Sequence, residues 1–204
     1  MRDRGPSQNV PRETLNRLNT FVELLRTWNS KINLVSPATL NDVWTRHIDD
    51  SLQLVDFAPG TASRWVDLGS GAGFPGLVVA IAAAESRPSL KITLIESDQR
   101  KAAFLVTAAR ACGVDVAVVA DRVESTRPQN ADVVSARALA PLTRLLGLAE
   151  RHLAASGVAL FLKGGQSEAE IATALEHWRF QVHKHPSKTS AEGVVLAVED
   201  ISRV

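Results

Sequence analysis

Residues 66–76 read Val66-Asp67-Leu68-Gly69-Ser70-Gly71-Ala72-Gly73-Phe74-Pro75-Gly76. A short apolar run ends in three glycines at alternate positions, and no other stretch constrains the chain as tightly. Glycine adopts positive φ without steric cost, so this spacing lets the backbone turn sharply and come close to a ligand. Pro75 suits the first turn of a helix that follows. The run therefore predicts a strand over 64–68, a tight turn, and a helix over 75–84.

The same rhythm continues downstream. Short β-branched segments at 91–96, 114–119, 131–136 and 157–163 read as strands, and 98–112, 141–153 and 168–178 read as helices. Ser97 or Asp98 can cap the helix that Gly113 stops. Segments 179–185 and 193–199 close the pattern as a strand pair with a turn around 187–192. Strand–helix alternation implies a parallel sheet covered on both faces, here with an antiparallel C-terminal edge. Right-handed crossovers make it doubly wound, and such sheets bind ligands at the carboxyl ends of their strands.

Residues 11–57 follow a different pattern, with helical spacing throughout. Leu15, Leu18, Val22 and Leu25 form one stripe, and Val43, Trp44, Ile48, Leu52 and Val55 mark a second helix over 41–55. A break at Ala58-Pro59-Gly60-Thr61 separates this part from the alternating one. The expected organisation is a helical extension over 1–62 and an α/β domain over 63–204.

Composition narrows the class of protein. Of 204 residues, 45% are hydrophobic and 22% charged, enough apolar side chain to build a core. No apolar stretch approaches the ~18 residues of a membrane span, and MRDRGPSQNV carries charge with no apolar block after it, unlike a signal peptide. One cysteine, Cys112, allows neither an internal disulfide nor a cysteine metal cluster, and a cytoplasmic setting is expected. Net charge is +1, so any nucleic-acid affinity must come from a local patch. Residues 1–31 hold six basic side chains, including Arg2 and Arg4, against three acidic ones, which reads either as such a patch or as a solvated helix face.

Two cofactors compete for the glycine turn. Gly71, Gly73 and Gly76 spell G-x-G-x-x-G, the dinucleotide pattern, in which backbone N–H groups and a helix N-terminus hold a pyrophosphate. The register is poor, because the first glycine after the strand is Gly69 and the sixth position from it is Phe74. S-adenosylmethionine has no phosphate but carries an ammonium and a sulfonium, for which a carboxylate near the turn is useful. Asp67 at the strand end is placed for that, and Glu96, ending the second strand, can accept from both ribose hydroxyls. The interval from Gly69 to Glu96 is 27 residues, against ~20 in the dinucleotide fingerprint. Asp121-Arg122-Val123-Glu124 follows the third strand, where backbone N–H groups of Val123 and Glu124 can read an adenine edge or simply form a capping turn.

These residues, with Trp28-Asn29-Ser30-Lys31-Ile32-Asn33-Leu34-Val35-Ser36, Arg46-His47-Ile48-Asp49-Asp50-Ser51, Arg137-Ala138 and Phe161-Leu162-Lys163-Gly164-Gly165, resemble one family over roughly residues 20 to 200. It is the bacterial small-subunit rRNA guanine-N7 methyltransferase G family, RsmG, also called GidB. The resemblance implies a class I methyltransferase fold, Rossmann-like and doubly wound, with a mostly parallel seven-stranded sheet and a small helical N-terminal extension. It implies methyl transfer from S-adenosylmethionine to N7 of one guanine, guanine 527, in the 530 loop of 16S rRNA. Gly69, Gly71, Gly73 and Phe74 would line the cofactor, Val123 and Glu124 would meet the adenine, and Arg137 would reach the cofactor or the adjoining substrate space. Serine at position 70 and phenylalanine at 74 stand where threonine and leucine are common in the family.

Guanine N7 is a nucleophile with a free lone pair, so the reaction needs alignment rather than a general base. No catalytic triad and no metal are expected. Arg137 and Lys163, both at strand ends, are the candidates for positioning the substrate, and Lys163 reads equally as an exposed strand-end lysine. His47 fits a buried packing role that shapes the glycine turn, and the four tryptophans fit core positions. The run 183–188, rich in His and Lys, fits a solvated turn or an RNA contact. The expected partner is 16S rRNA, within the 30S subunit, for a monomeric enzyme. A small-molecule or protein methyltransferase, a nucleotide-dependent oxidoreductase and a non-enzymatic RNA-binding module share parts of this pattern.

Overall fold

The computed structural model describes residues 10–204, so Arg2 and Arg4 of the basic excess lie outside the described residues. A seven-stranded sheet forms the middle layer, in the order β3-β2-β1-β4-β5-β7-β6. Its strands are β1 (Arg64–Leu68), β2 (Lys91–Ile95), β3 (Ala117–Val119), β4 (Ala131–Arg137), β5 (Leu153–Lys163), β6 (Trp178–Pro186) and β7 (Val194–Arg203). The first five pair in parallel, and β7 inserts antiparallel between β5 and β6. The strand order reverses at β1, whose neighbours are β2 and β4, so the switch-point crevice opens beyond Leu68 and Arg137.

Strand alternation sends side chains to two separate cores. Trp65, Val133, Leu160 and Val195 face one side, and Val66, Val134, Phe161 and Leu196 face the other. The second side is covered by α6 (Leu142–His152) and α7 (Ser167–Leu175). The first is covered by α4 (Gly76–Ser86), α5 (Gln99–Ala111) and the N-terminal helices. Helix α1 (Arg12–Asn29) places Leu18, Phe21 and Leu25 in that core with no exposed surface. Each such side chain contributes about 1.5–3 kcal/mol by leaving water. The extension therefore shares the hydrophobic core of the sheet.

The second N-terminal helix differs from its expected form. A single turn, α2 (Pro37–Leu40), is followed by a turn at Asn41 and Asp42, and the helix starts at Trp44. It opens as a π-helical turn (Trp44–Asp49), tightens through α3 (Asp50–Leu52) and ends as a 3₁₀ turn (Gln53–Phe57). The Ser51 hydroxyl donates to the His47 carbonyl at 2.6 Å inside this wide turn. Such π-turns concentrate at functional sites.

Other boundaries move as well. The expected helix over 168–178 ends at Leu175, and Trp178 opens β6 instead. Its ring packs on α6, where a Cβ at Gly147 would lie 3.3 Å from it. Strand β3 is shorter than 114–119, and β5 begins earlier than 157. Residues 183–186 belong to β6, so the His- and Lys-rich run is largely strand rather than turn.

Candidate active site

The glycine turn builds a cavity from its own backbone. Gly69, Gly71 and Gly73 have φ of +65°, +54° and +93°, the left-handed region that glycine alone enters freely. The Gly71 N–H donates to Glu96 Oε2 at 2.8 Å, and the Asp98 N–H donates to Glu96 Oε1 at 2.8 Å. The turn and the end of β2 are thereby locked together. A cavity of about 500 Å³ lies above, lined by Gly69, Gly71, Phe74, Glu96, Val123 and Arg137 among others. A Cβ on Gly71 would meet only the Gly69 carbonyl, at 3.8 Å, so its missing side chain leaves room. Gly76 matters for another reason. A Cβ there would lie 2.5 Å from both Asp67 Cβ and Leu94 Cδ2, so only glycine lets α4 lie this close to the sheet.

Asp67 does not take the expected position. It is fully buried beneath the turn and is not among the cavity-lining residues. Its Oδ1 accepts from the Ser135 hydroxyl at 2.6 Å, and Ser135 Oγ accepts from the Trp65 indole at 2.8 Å. Oδ2 has no hydrogen-bond partner among the described residues, and the Ser70 hydroxyl and the Gly76 amide act on the carboxyl from nearby. Burial pushes its pKa up to about 6, against the pull of those groups and of Arg137. The side chain lies on the core face of β1 with Trp65, which is why a position read along the strand end alone misplaces it. Gly73 is likewise turned inward, against Leu77 and Phe21.

On the far wall, Val123 is buried and its carbonyl pairs with His152 Nε2 at 3.0 Å. No acceptor among the described residues takes its N–H, which remains available to an adenine edge. The Glu124 carboxylate pairs with Arg144 at the mouth, and that guanidinium holds its pKa below the usual range.

Arg137, at the end of β4, joins the sheet to the extension. Its Nη1 donates to His47 Nδ1 at 2.8 Å and to the Arg46 carbonyl at 3.1 Å, and lies 3.7 Å from Asp50 Oδ2. A guanidinium only donates, so His47 Nδ1 must be the bare nitrogen and Nε2 must carry the proton. That proton goes to Thr39 Oγ1 at 3.0 Å, whose own hydroxyl donates to the Ser36 carbonyl. Burial first, then Arg137, lowers the His47 pKa to about 4. The His47 ring stacks on Phe74 at 4.9 Å between centroids, and the Arg137 guanidinium lies 4.9 Å from the same ring. His47 is thus a neutral brace behind the cavity wall.

Lys163 does not line this cavity. It lines a second one of about 670 Å³, which shares Arg137, Ala138 and Leu139 with the first. Its ammonium donates to Glu170 Oε2 at 2.6 Å and to the Ala140 carbonyl at 2.9 Å.

Several site residues escape a reading of the sequence. Asn29 Oδ1 accepts from the Leu34 and Val35 amides at 3.0 and 2.9 Å, folding that loop so that both residues line the first cavity. Asp50 Oδ1 accepts from the Gln53 amide and the Thr189 hydroxyl, both at 2.9 Å, and borders the second cavity. The quoted 28–36 and 46–51 segments hold these residues, but nothing in their spacing points to the cavities.

The cavity suits one of the two cofactors. A pyrophosphate would need the N-terminus of α4, and the Asp67 carboxylate already lies against it. Each Glu96 oxygen accepts one backbone N–H, leaving lone pairs for two ribose hydroxyls. With the free Val123 amide, these groups fit S-adenosylmethionine. Fold and cavity together place the protein in the class I, Rossmann-like methyltransferases that use S-adenosylmethionine.

Comparison with known proteins narrows this class. A family model described as rRNA small subunit methyltransferase G, GidB, matches residues 14–195, and the chain belongs to that family. It is 52% identical over 195 residues to ribosomal RNA small subunit methyltransferase G of Ruegeria sp. (strain TM1040), covering 96% of this chain and 95% of that protein. It is 48% identical to the protein of the same name from Gluconobacter oxydans (strain 621H), covering 96% and 98%. Among solved structures, it resembles a ribosomal protein L11 methylase from Lactobacillus delbrueckii subsp. bulgaricus, with a TM-score of 0.59, 19% identity and 78% of each chain covered. It also resembles M. jannaschii TYW2 in complex with AdoMet, with a TM-score of 0.56, 13% identity and coverage of 86% and 80%.

Proposed function

We propose that the protein transfers the methyl group of S-adenosylmethionine to N7 of the guanine at position 527, in the 530 loop of 16S rRNA. The observation that carries this reading is the pair of adjoining cavities at the switch point, one fitted to the cofactor and one free to take a base. In this reading, residues 63–204 are the methyltransferase domain and residues 1–62 an extension that braces it. When bound, S-adenosylmethionine supplies a methyl carbon whose bond to sulfur breaks as the bond to N7 forms, passing the positive charge to the purine.

The protein's own residues bind and align. Glu96 and the Val123 amide would hold the adenosine end, and the glycine turn would bring backbone rather than side chain against the cofactor. Phe74 lines the cavity, and His47 and Arg137 fix its ring from behind. No proton leaves guanine N7, so no general base is required, and His47 has both ring nitrogens committed. Arg137 borders both cavities and keeps cofactor and acceptor spaces in register.

The acceptor in this reading is 16S rRNA within the 30S subunit, met by a monomeric enzyme in the cytoplasm. A net charge of +1 supports a preformed RNA shape over a bare strand, because general electrostatic attraction is small. Among the described residues no helix is long and apolar enough to cross a membrane. The test is transfer of labelled methyl from S-adenosylmethionine to 30S subunits lacking native methylation, mapped by cleavage at N7-methylguanine. One labelled guanine in the 530 loop supports the assignment. Label elsewhere, or none on 30S while a small molecule or protein accepts it, overturns it.

A further inference from the structure

We propose that the second cavity is the guanine pocket and that the half-buried Lys163–Glu170 pair reads the base. The inference rests on the methyltransferase reading above and goes beyond it by naming the residues that select the acceptor.

The strand ends set the geometry. Gly69 follows Leu68 of β1, which pairs with Ala136 of β4, and Arg137 pairs with Leu162 of β5. Glycine turn, Arg137 and Lys163 thus stand at three successive strand ends. Two strand spacings, about 10 Å, separate the turn from Lys163. In guanine N7 and O6 share one edge and N1–H lies on the next, so a purine that offers N7 to the cofactor cavity can turn the N1–H side of O6 and N1–H itself toward β5.

The groups waiting there match that edge. Lys163 Nζ spends two of its three N–H bonds, on Glu170 Oε2 and the Ala140 carbonyl, and keeps one for O6. Glu170 Oε2 also accepts from the Leu142 amide at 2.6 Å, so the carboxylate is pinned at the N-terminus of α6. Its Oε1 has no partner among the described residues and can accept from N1–H. The side chains of Lys163 and Glu170 are 10% and 26% exposed, so both contacts form partly shielded from bulk water. Adenine presents a donor where guanine has O6 and a lone pair where guanine has N1–H, so the same pair repels it.

The pair also favours the transition state over the ground state. Positive charge gathers on the purine as the N7 bond forms, and N1–H becomes more acidic. The bond to Glu170 therefore strengthens as the reaction proceeds, which raises kcat more than it lowers KM.

The test compares guanine with 2-aminopurine, which keeps N7 and the amino group but lacks O6 and N1–H, placed singly at the target position of reconstituted 30S subunits. The wild-type protein is expected to prefer guanine strongly. Glu170→Gln should lower kcat on guanine about ten- to hundredfold, leave the rate on 2-aminopurine unchanged, and leave S-adenosylmethionine binding intact. The preference then shrinks by the same factor, a result that a purely structural staple between β5 and α7 would not give. An unchanged preference in Glu170→Gln, with both rates lowered alike, overturns the inference. So does a wild-type protein that fails to distinguish the two bases, a measurement that needs no variant. If the wild type labels no guanine on 30S, the methyltransferase assignment falls first and this inference with it.

Discussion

The two cavities at the switch point are made in opposite ways. The cofactor cavity is built largely from backbone, by one continuous turn locked to Glu96 through the Gly71 and Asp98 amides. The second cavity is built from side chains that meet only after folding. Asp50 from the extension bonds to Thr189, 139 positions away, and Lys163 of β5 pairs with Glu170 of α7. A backbone site is rigid and tolerates few residue types. A side-chain site can be retuned residue by residue, which suits the part that chooses the acceptor.

The sharpest way to break this contrast is at Gly76. Gly76→Val adds a side chain whose first carbon already overlaps Asp67 and Leu94. It should destabilise the whole fold by about 3 kcal/mol or more, read as a lower urea midpoint. Glu96→Gln comes next. One of its two backbone amides must lose its acceptor, and S-adenosylmethionine should bind about ten- to hundredfold more weakly by calorimetry, in line with the loss of a charged hydrogen bond. Substitutions in the second cavity should leave that affinity unchanged.

Acid titration sharpens the comparison further, because two buried groups behind the cofactor cavity have opposite slopes. His47, with a pKa of about 4 when folded, is protonated more easily in the unfolded chain, so its contribution to stability is full above pH 6.5 and lost toward pH 4. The full loss approaches about 3 kcal/mol. Asp67, with a pKa of about 6 when folded, holds its proton more tightly in the folded state, so stability falls as pH rises from about 4 to 6. The wild type should show a shallow net dependence between pH 4 and 6. His47→Gln should expose the falling slope of Asp67, and Asp67→Asn the rising slope of His47, both by denaturation at fixed pH. The smallest effect belongs to Lys188, whose pair with Asp56 is exposed. Lys188→Ala should change stability by no more than about 0.5 kcal/mol.

The same contrast explains what the sequence makes legible. The alternating glycines, the strand before them and Glu96 can be read because positive φ and strand-end position leave marks in residue order. Gly69, Gly71, Phe74, Val123, Glu124 and Arg137 all border the cofactor cavity. Residue order puts Asp67 on the right strand end but on the core side of the site, since which way a strand-end side chain turns depends on packing, whereas Lys163 borders the second cavity. Asn29, Asp50 and Glu170 cannot be read at all. Each acts through a partner fixed by tertiary folding, and the π-helical turn at residues 44–49 reads in the sequence as an ordinary helix. The insertion of β7 between β5 and β6 is hidden for the same reason, because a strand pair reads alike in either order.

The most direct test of the account is a calorimetric titration of the protein alone with S-adenosylmethionine and, separately, with a nicotinamide dinucleotide. A cavity preformed by backbone predicts one molecule of S-adenosylmethionine bound per chain without any RNA present, and no binding of the dinucleotide, whose pyrophosphate would meet Asp67. Binding of the dinucleotide, or binding of S-adenosylmethionine only when 30S subunits are added, would contradict it.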